Sequence, residues 1–263
     1  MTTIDREEVA CGVCNGTVVI TVITSTNSFG SPDLDTRPPP MARETISTWV
    51  NRCPHCHYCR SDITDSAGVN KEHVDSDEYQ NQLSDSRFSP LVNSFLCEAI
   101  LEREQPDSRK QFWSLLSAAW ACDDDGNIQG SNSCREMASE VARKCRADGV
   151  QYCADAVSED FLLVDVLRRC GKFEEARKVI SDTLTSIEHD VGKAILIYQG
   201  RLMDRNDRAC HTIEQAMTPY ADGDHRNNDC QKHCNRKTKR TVRCFILLIA
   251  FAVGLCWLMF SMR

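Results

Sequence analysis

Cys53-Pro54-His55-Cys56-His57-Tyr58-Cys59 and the distant Cys11-Gly12-Val13-Cys14 decide how this chain is read. One C-x2-C pair supplies two soft thiolates; two pairs supply four, enough to close a tetrahedron around a single Zn²⁺. The expected ligands are Cys11, Cys14, Cys53 and Cys56, with Cys59, His55 and His57 as alternates because they share the second knuckle. Four thiolates leave no position for a reacting water, so such a zinc is structural. Cys53-Pro54-His55-Cys56 is also similar to the active-site motif of disulfide oxidants, but no thioredoxin-like strand and helix pattern surrounds it. A RING finger would need further C-x2-C pairs, and the next cysteine is Cys97.

Between the knuckles, Asn15-Gly16 reads as a turn, and the β-branched run at 17–24 reads as a strand. Residues 25–40 then lose regularity through Asn27, Gly30, Pro32 and Pro38-Pro39-Pro40, a rigid polyproline-like loop. Thr45-Ile46-Ser47-Thr48-Trp49-Val50 resumes strand character and delivers the chain into Cys53. Residues 1–60 therefore read as a zinc ribbon. A loop this long between knuckles is unusual, and Asp33, Asp35, Arg37 and Arg43 make it a candidate site for a small polar ligand or an enzymatic reaction. The same four charges could instead pin the loop by local ion pairs. Arg37, Arg43, Arg52 and Arg60 are too few and scattered for the basic, aromatic-interleaved face of an RNA-binding ribbon, which disfavours nucleic acid as a partner.

Residues 61–87 are acidic and poor in apolar anchors, and read as a linker in which Tyr79 and Leu83 could start a short helix. From residue 88 the apolar period becomes helical. Leu91, Phe95, Leu96, Ala99 and Ile100 form one stripe, and Phe112, Leu115, Leu116, Ala119 and Trp120 form the next. Asp123-Asp124-Asp125-Gly126 lacks the alternating ligands and closing Glu of a calcium loop and reads as a helix end. A helix over 134–147 is closed by Gly149, and another runs from Phe161. It leads into Gly171-Lys172-Phe173-Glu174-Glu175-Ala176, a segment that resembles the turn between the two helices of a tetratricopeptide repeat. A last pair falls near 187–203 and 207–217. Residues 88–218 thus form a repeat-like helical domain, a surface suited to a protein partner.

Ribbon and helical array together, over residues 10–218, resemble a group of uncharacterised bacterial proteins that join an N-terminal zinc ribbon to a tetratricopeptide-like helical region. The most specific part of the likeness is the pair of knuckles with the segment 25–39 between them. It implies fold and zinc, and no chemistry. The chain departs from the usual knuckle at His57, where a glycine is common.

The C-terminal part has a different character. Residues 219–243 form a polar neck that includes Arg236, Lys237, Lys239, Arg240 and Arg243, so the net charge of −7 hides a still more acidic body on a basic stem. Residues 244–262 are nearly all apolar. At about 1.5 Å per residue they reach about 28 Å, close to the hydrocarbon thickness of about 30 Å. The basic flank places the body on the cytoplasmic side of a single-pass tail anchor. Polar residues 1–10 carry Asp5, Glu7 and Glu8 and do not read as a secretory signal, and several of the 16 cysteines (Cys97, Cys122, Cys145 and Cys170) sit singly in helical patterns as small apolar residues, which suits a reducing compartment.

The fold class expected is α+β: a small β zinc ribbon, a helical repeat-like array and a C-terminal transmembrane helix. No phosphate loop, nucleotide fingerprint or nucleophile grouping is present in the sequence, so the expected function is a membrane-tethered interaction or adaptor module. Deleting residues 244–262 is expected to move the protein from the membrane pellet to the soluble fraction; an unchanged pellet would contradict the anchor.

Overall fold

The computed structural model of the chain describes residues 1–218, except 104, 106, 107, 188 and 189. Both the basic neck and the anchor segment 244–262 lie outside these residues. Among the described residues, no helix is long and apolar enough to cross a membrane.

Two β-hairpins open the described residues, which are otherwise mainly helical. Strand β1 (Thr3–Ala10) pairs antiparallel with β2 (Thr17–Ser25), from Ala10 opposite Thr17 out to Ile4 opposite Ile23. The residues between them are the first knuckle, which thus forms the hairpin's turn. Strand β1 was not legible as one: its charges fall on both faces, and both faces are largely exposed, so no period-2 pattern exists to read. Pairing with the β-branched β2 supplies what its own sequence does not. The second hairpin is minimal, β3 (Asn51–Arg52) against β4 (Cys59–Arg60), with the second knuckle as its turn.

The strand expected at 45–50 is instead a 3-10 helix, Arg43–Thr48. Local hydroxyl bonds outcompete β propensity there: Thr45 Oγ1 donates to the Ala42 carbonyl at 2.8 Å and Thr48 Oγ1 to the Thr45 carbonyl at 2.8 Å. Trp49 Nε1 then donates to Thr45 Oγ1 at 2.9 Å, closing the turn.

Nor is 61–87 a linker. It carries α1 (Lys71–Val74) and α2 (Asp77–Leu83), capped by Asn70 and Ser76, and it buries Ile63, Val69, Val74, Tyr79 and Leu83 in the main core. His73 completes the α1 cap by accepting the Asn70 N–H on Nδ1. The apolar anchors are spaced too irregularly to signal a helix, yet all of them join the main core, and α2 packs on α3.

Helices α3 (Pro90–Arg103), α4 (Ser108–Asp124), α5 (Ile128–Asp148), α6 (Ala156–Arg169), α7 (Phe173–Leu184) and α8 (Asp190–Asp204) follow, ending in the short α9 (Ile213–Met217). Successive helices pack on one another. Helix α3 lies between the hairpin residues and α4, which explains why it is buried on nearly every side. Gly149 ends α5 in the left-handed conformation, φ 69°, and Gly171 makes the α6–α7 turn at φ 84°, with Ala176 fully buried where the two helices approach. A second, smaller core gathers Ile195 and Leu202 of α8 with Ile213 and Ala216 of α9 around Leu34, a residue of the proline-rich loop. That loop is therefore an internal element: Ser31, Pro32, Asp33, Leu34, Asp35, Arg37 and Pro39 are all buried.

Tyr79 ties residues 61–87 to the second knuckle. Its Oη accepts the Cys59 N–H and donates to the His57 carbonyl, both at 2.9 Å. Tyr79→Phe leaves both groups without that partner and is expected to cost about 1–3 kcal/mol in urea unfolding; a true linker residue would give no change.

Candidate metal centre and the buried ion cluster

The two hairpin turns face each other and gather Cys11, Cys14, Cys53 and Cys56, whose sulfurs all lie within 4.8 Å of one another. Cys11 Sγ is 3.7 Å from Cys56 Sγ, and Cys14 Sγ is 3.6 Å from Cys53 Sγ. A tetrahedron with metal–sulfur bonds of about 2.3 Å has edges of about 3.8 Å, so the spacing fits one metal ion. Each knuckle is built alike. The Asn15 N–H donates to the Cys11 carbonyl at 2.9 Å, and the His57 N–H to the Cys53 carbonyl at 3.0 Å. The hairpins then close through Cys11 N–H to Gly16 O at 2.9 Å and Cys53 N–H to Tyr58 O at 2.8 Å. Asn15 and His57 occupy equivalent left-handed positions, φ 56° and 66°. His57 thus takes the conformation in which glycine is usual, a region where histidine is enriched among non-glycine residues.

Backbone N–H groups also aim at the sulfurs, Gly16 at Cys14 Sγ and His55 at Cys53 Sγ, each at 3.4 Å. Burial opposes the Cys53 thiolate, but the Cys56 and His55 N–H groups and the Cys14 thiol outweigh it and lower the Cys53 pKa to about 7. Burial pushes Cys11 and Cys56 up. The Cys53 thiolate is favoured while burial disfavours those of Cys11 and Cys56, an opposition that a dication would relieve by neutralising thiolates packed this closely. By donor chemistry and spacing the four cysteines can hold a metal ion, and zinc is compatible with them.

The alternate ligands are engaged elsewhere. His55 lies across Gly16, where an added Cβ would come within 2.5 Å of its ring, and its Nε2 is 3.1 Å from the Thr17 carbonyl. His57 is exposed, with Nδ1 3.5 Å from the Arg52 guanidinium. Cys59 is buried against Cys97 and directs its thiol to the His57 carbonyl. Gly12 has its own reason to lack a side chain: a Cβ would sit 2.6 Å from the Thr64 carbonyl, in the segment that packs under the first knuckle.

The four loop charges do not converge on one site. Asp33 and Arg43 do meet, at 2.9 Å, and Arg43 Nε also donates to the Pro38 carbonyl. Arg37 reaches Asp124 at the end of α4, at 2.5 Å. Asp35 enters the helical domain and is fully buried; its Oδ2 accepts from Trp120 Nε1 of α4 at 2.9 Å, Arg135 Nη2 of α5 at 3.1 Å and Arg169 Nη1 of α6 at 2.9 Å. Asp123 completes the group, accepting from Arg135 at 2.7 Å, Arg169 at 2.8 Å and Ser131 Oγ at 2.6 Å. Three helices and the loop are joined by one alternating set of charges.

These partners were not singled out in the sequence, although signals exist. Arg135 follows Cys134 on a stripe continued by Ala138, Val141 and Ala142, and Arg169 ends an apolar run beginning at Phe161. An arginine on a buried face demands a carboxylate. Asp123, which reads as a helix end, is one such carboxylate. The other lies a hundred residues away in the loop.

Burial alone would raise the Asp35 pKa, but the charges of Arg169 and Arg135 and the Trp120 hydrogen bond overcome it and hold the carboxyl well below the usual range. Asp123 is lowered against burial in the same way by Arg135 and Arg169. Asp33 moves oppositely, raised by burial and then by the neighbouring Asp35 charge.

A second polar chain lies beside the loop. Tyr198 Oη is 2.9 Å from His211 Nδ1, and His211 Nε2 is 3.0 Å from Asp207 Oδ2. It fixes the α8–α9 turn, whose His211 carbonyl accepts the Leu34 N–H at 2.8 Å. Comparison of the chain with protein-family models, curated proteins and solved structures returns no match.

The signs give an acid-stability prediction. A depressed carboxyl contributes stability that is present above the unfolded pKa of about 3.9 and is lost as pH falls through the folded pKa. Asp35→Asn leaves Arg135 and Arg169 with Asp123 alone, and is expected to cost about 3–5 kcal/mol near neutral pH. The difference from wild type should shrink below about pH 4, as measured by urea unfolding across pH. Asp33 has the opposite sign, its contribution being present at low pH and lost as pH rises through its raised pKa. A gap constant with pH would contradict the assignment to Asp35.

Proposed function

We propose that the chain is a zinc-stabilised interaction module, held at the cytoplasmic face of a membrane by residues 244–262, with the helical array as its protein-binding part. The observation that carries this reading is the four-sulfur cluster. Four thiolates complete a tetrahedral shell, leave no open position for a substrate or water, and hold two hairpins that have little core of their own. Its binding energy adds directly to folding, on the order of 10 kcal/mol for small zinc modules. The donor set is all sulfur, the softness that selects zinc over magnesium or calcium. The repeat-like turn at Gly171 and Ala176, with helices packed in succession, supports an array whose product is surface rather than chemistry. Its likeness to ribbon-plus-repeat proteins belongs to this same reading.

The Asp33, Asp35, Arg37 and Arg43 charges are spent on Arg43, the two helix arginines and Asp124, which favours the module over a small-ligand enzyme built on this loop.

Full-length protein purified without added metal is expected to carry about one zinc ion per chain by elemental analysis, and Cys56→Ser to lose most of it. Wild-type protein free of stoichiometric metal would end this reading. For the binding part, photo-crosslinking from the helical array in cells is expected to trap a protein at the membrane; crosslinks confined to the chain itself would count against an adaptor.

A further inference from the structure

The loop at 31–37 sits on the helical array in the way a bound peptide sits in a groove. Its backbone pairs as a short antiparallel bridge, with Asp33 beside Thr212, the Leu34 N–H on the His211 carbonyl at 2.8 Å and the Ile213 N–H on the Pro32 carbonyl at 3.0 Å. Leu34 enters the apolar pocket between α8 and α9. The next residue, Asp35, enters the polar pocket of Trp120, Arg135 and Arg169. Ser31 caps the site at one end by accepting the Glu214 N–H at 3.0 Å, and Arg37 reaches Asp124 at the other, at 2.5 Å. Main-chain pairing, one apolar anchor, one fully desolvated carboxylate and a buried arginine paired to a half-exposed carboxylate are the parts by which extended peptides are recognised.

From this we propose that the face formed by α4, α5, α6 and the α8–α9 turn is a peptide-binding groove for an extended partner segment carrying Leu-Asp followed two residues later by Arg, and that the chain's own loop is its resident ligand. This deepens the interaction-module reading and rests on it. The occupant's chemistry follows from the pockets: two buried arginines select a carboxylate, and the apolar pocket beside them selects a branched aliphatic residue. The resident loop has the advantage of its tether. Its feet run through β2 to Cys14 and through the 3-10 helix to Cys53, so the four-sulfur clamp holds it at an effective concentration on the order of millimolar. An incoming segment gains access when that tether loosens, which makes groove access dependent on the metal.

The test uses the full-length chain carrying Leu34→Ala and Asp35→Ala, which removes both anchors of the resident loop and leaves the pockets and the cysteines intact. The probe is a fluorescein-labelled synthetic peptide of residues 30–39. Saturable binding to the double variant by anisotropy is expected, weakened about tenfold or more when the peptide carries Asp35→Asn. Wild-type protein should bind the peptide far more weakly, because its groove is filled. No saturable binding up to about 1 mM, the range in which the tethered loop acts, by a variant that keeps its helical circular dichroism and bound metal would overturn the proposal. So would binding indifferent to Asp35 of the peptide. Should the double variant lose its helical signal, the peptide is expected to restore it by mass action, and failure to do so equally overturns the groove. Loss of peptide binding while the wild-type chain still crosslinks a partner removes the groove alone; peptide binding with no partner in cells removes the adaptor reading and leaves the groove.

Discussion

A carboxylate placed among two guanidiniums and an indole N–H, with no exposure to water, is costly to form and costlier to break. Asp35 is that group. Desolvation alone would neutralise it, so its charge depends on Arg135 and Arg169 being held at hydrogen-bond distance, which depends in turn on α5 and α6 lying against the end of α4. The helices have a reciprocal need. Arg135 and Arg169 are nearly fully buried, and Asp123 alone would leave two cations sharing one anion. The loop therefore completes the helical domain.

The loop's feet are fixed by different chemistry. Its residues are delivered to the helices from β2 and the 3-10 helix, which begin and end at the two knuckles. Two hairpins of this size are marginal on their own. A shared metal at Cys11, Cys14, Cys53 and Cys56 would turn them into one rigid base, and Tyr79 and Arg60 carry that base onto the helices. Arg60 is buried and pairs with Glu102 of α3 at 2.7 Å, while Glu98 of the same helix accepts the Ser61 N–H at 2.6 Å. Sulfur cluster, loop and array are thus joined in series, so that a metal bound at the four cysteines would be felt where the loop meets α8 and α9.

What could be read in the sequence was whatever local spacing determines. C-x2-C pairs, the β-branched run of β2, the helical apolar spacing of α3 and α4, and the stops at Gly149 and Gly171 are properties of neighbouring residues, and the structure has the strand, the helices and the stops, although α3 is buried on nearly every side rather than along one stripe. Strand β1 was hidden because it buries neither face. The 3-10 helix at Arg43–Thr48 was misread because hydroxyl-to-carbonyl bonds overrode the β propensity of Thr45, Ile46 and Thr48. Residues 61–87 looked like a linker because their core anchors follow no period. The loop stands out for its charges, but the partners of those charges are up to 134 residues away, as in the Asp35–Arg169 pair. No local pattern in one sequence encodes such a pairing; the available clue was two arginines on faces that ought to be apolar.

The central claim is that the sulfur clamp and the buried Asp35 hold one loop between them. Native-state hydrogen exchange at the Leu34 N–H, bonded to the His211 carbonyl, tests it most directly. Chelating the metal from full-length protein is predicted to lower protection at Leu34 while amides in the middle of α4 keep theirs. Unchanged protection at Leu34 in protein shown to have lost its metal would contradict the account.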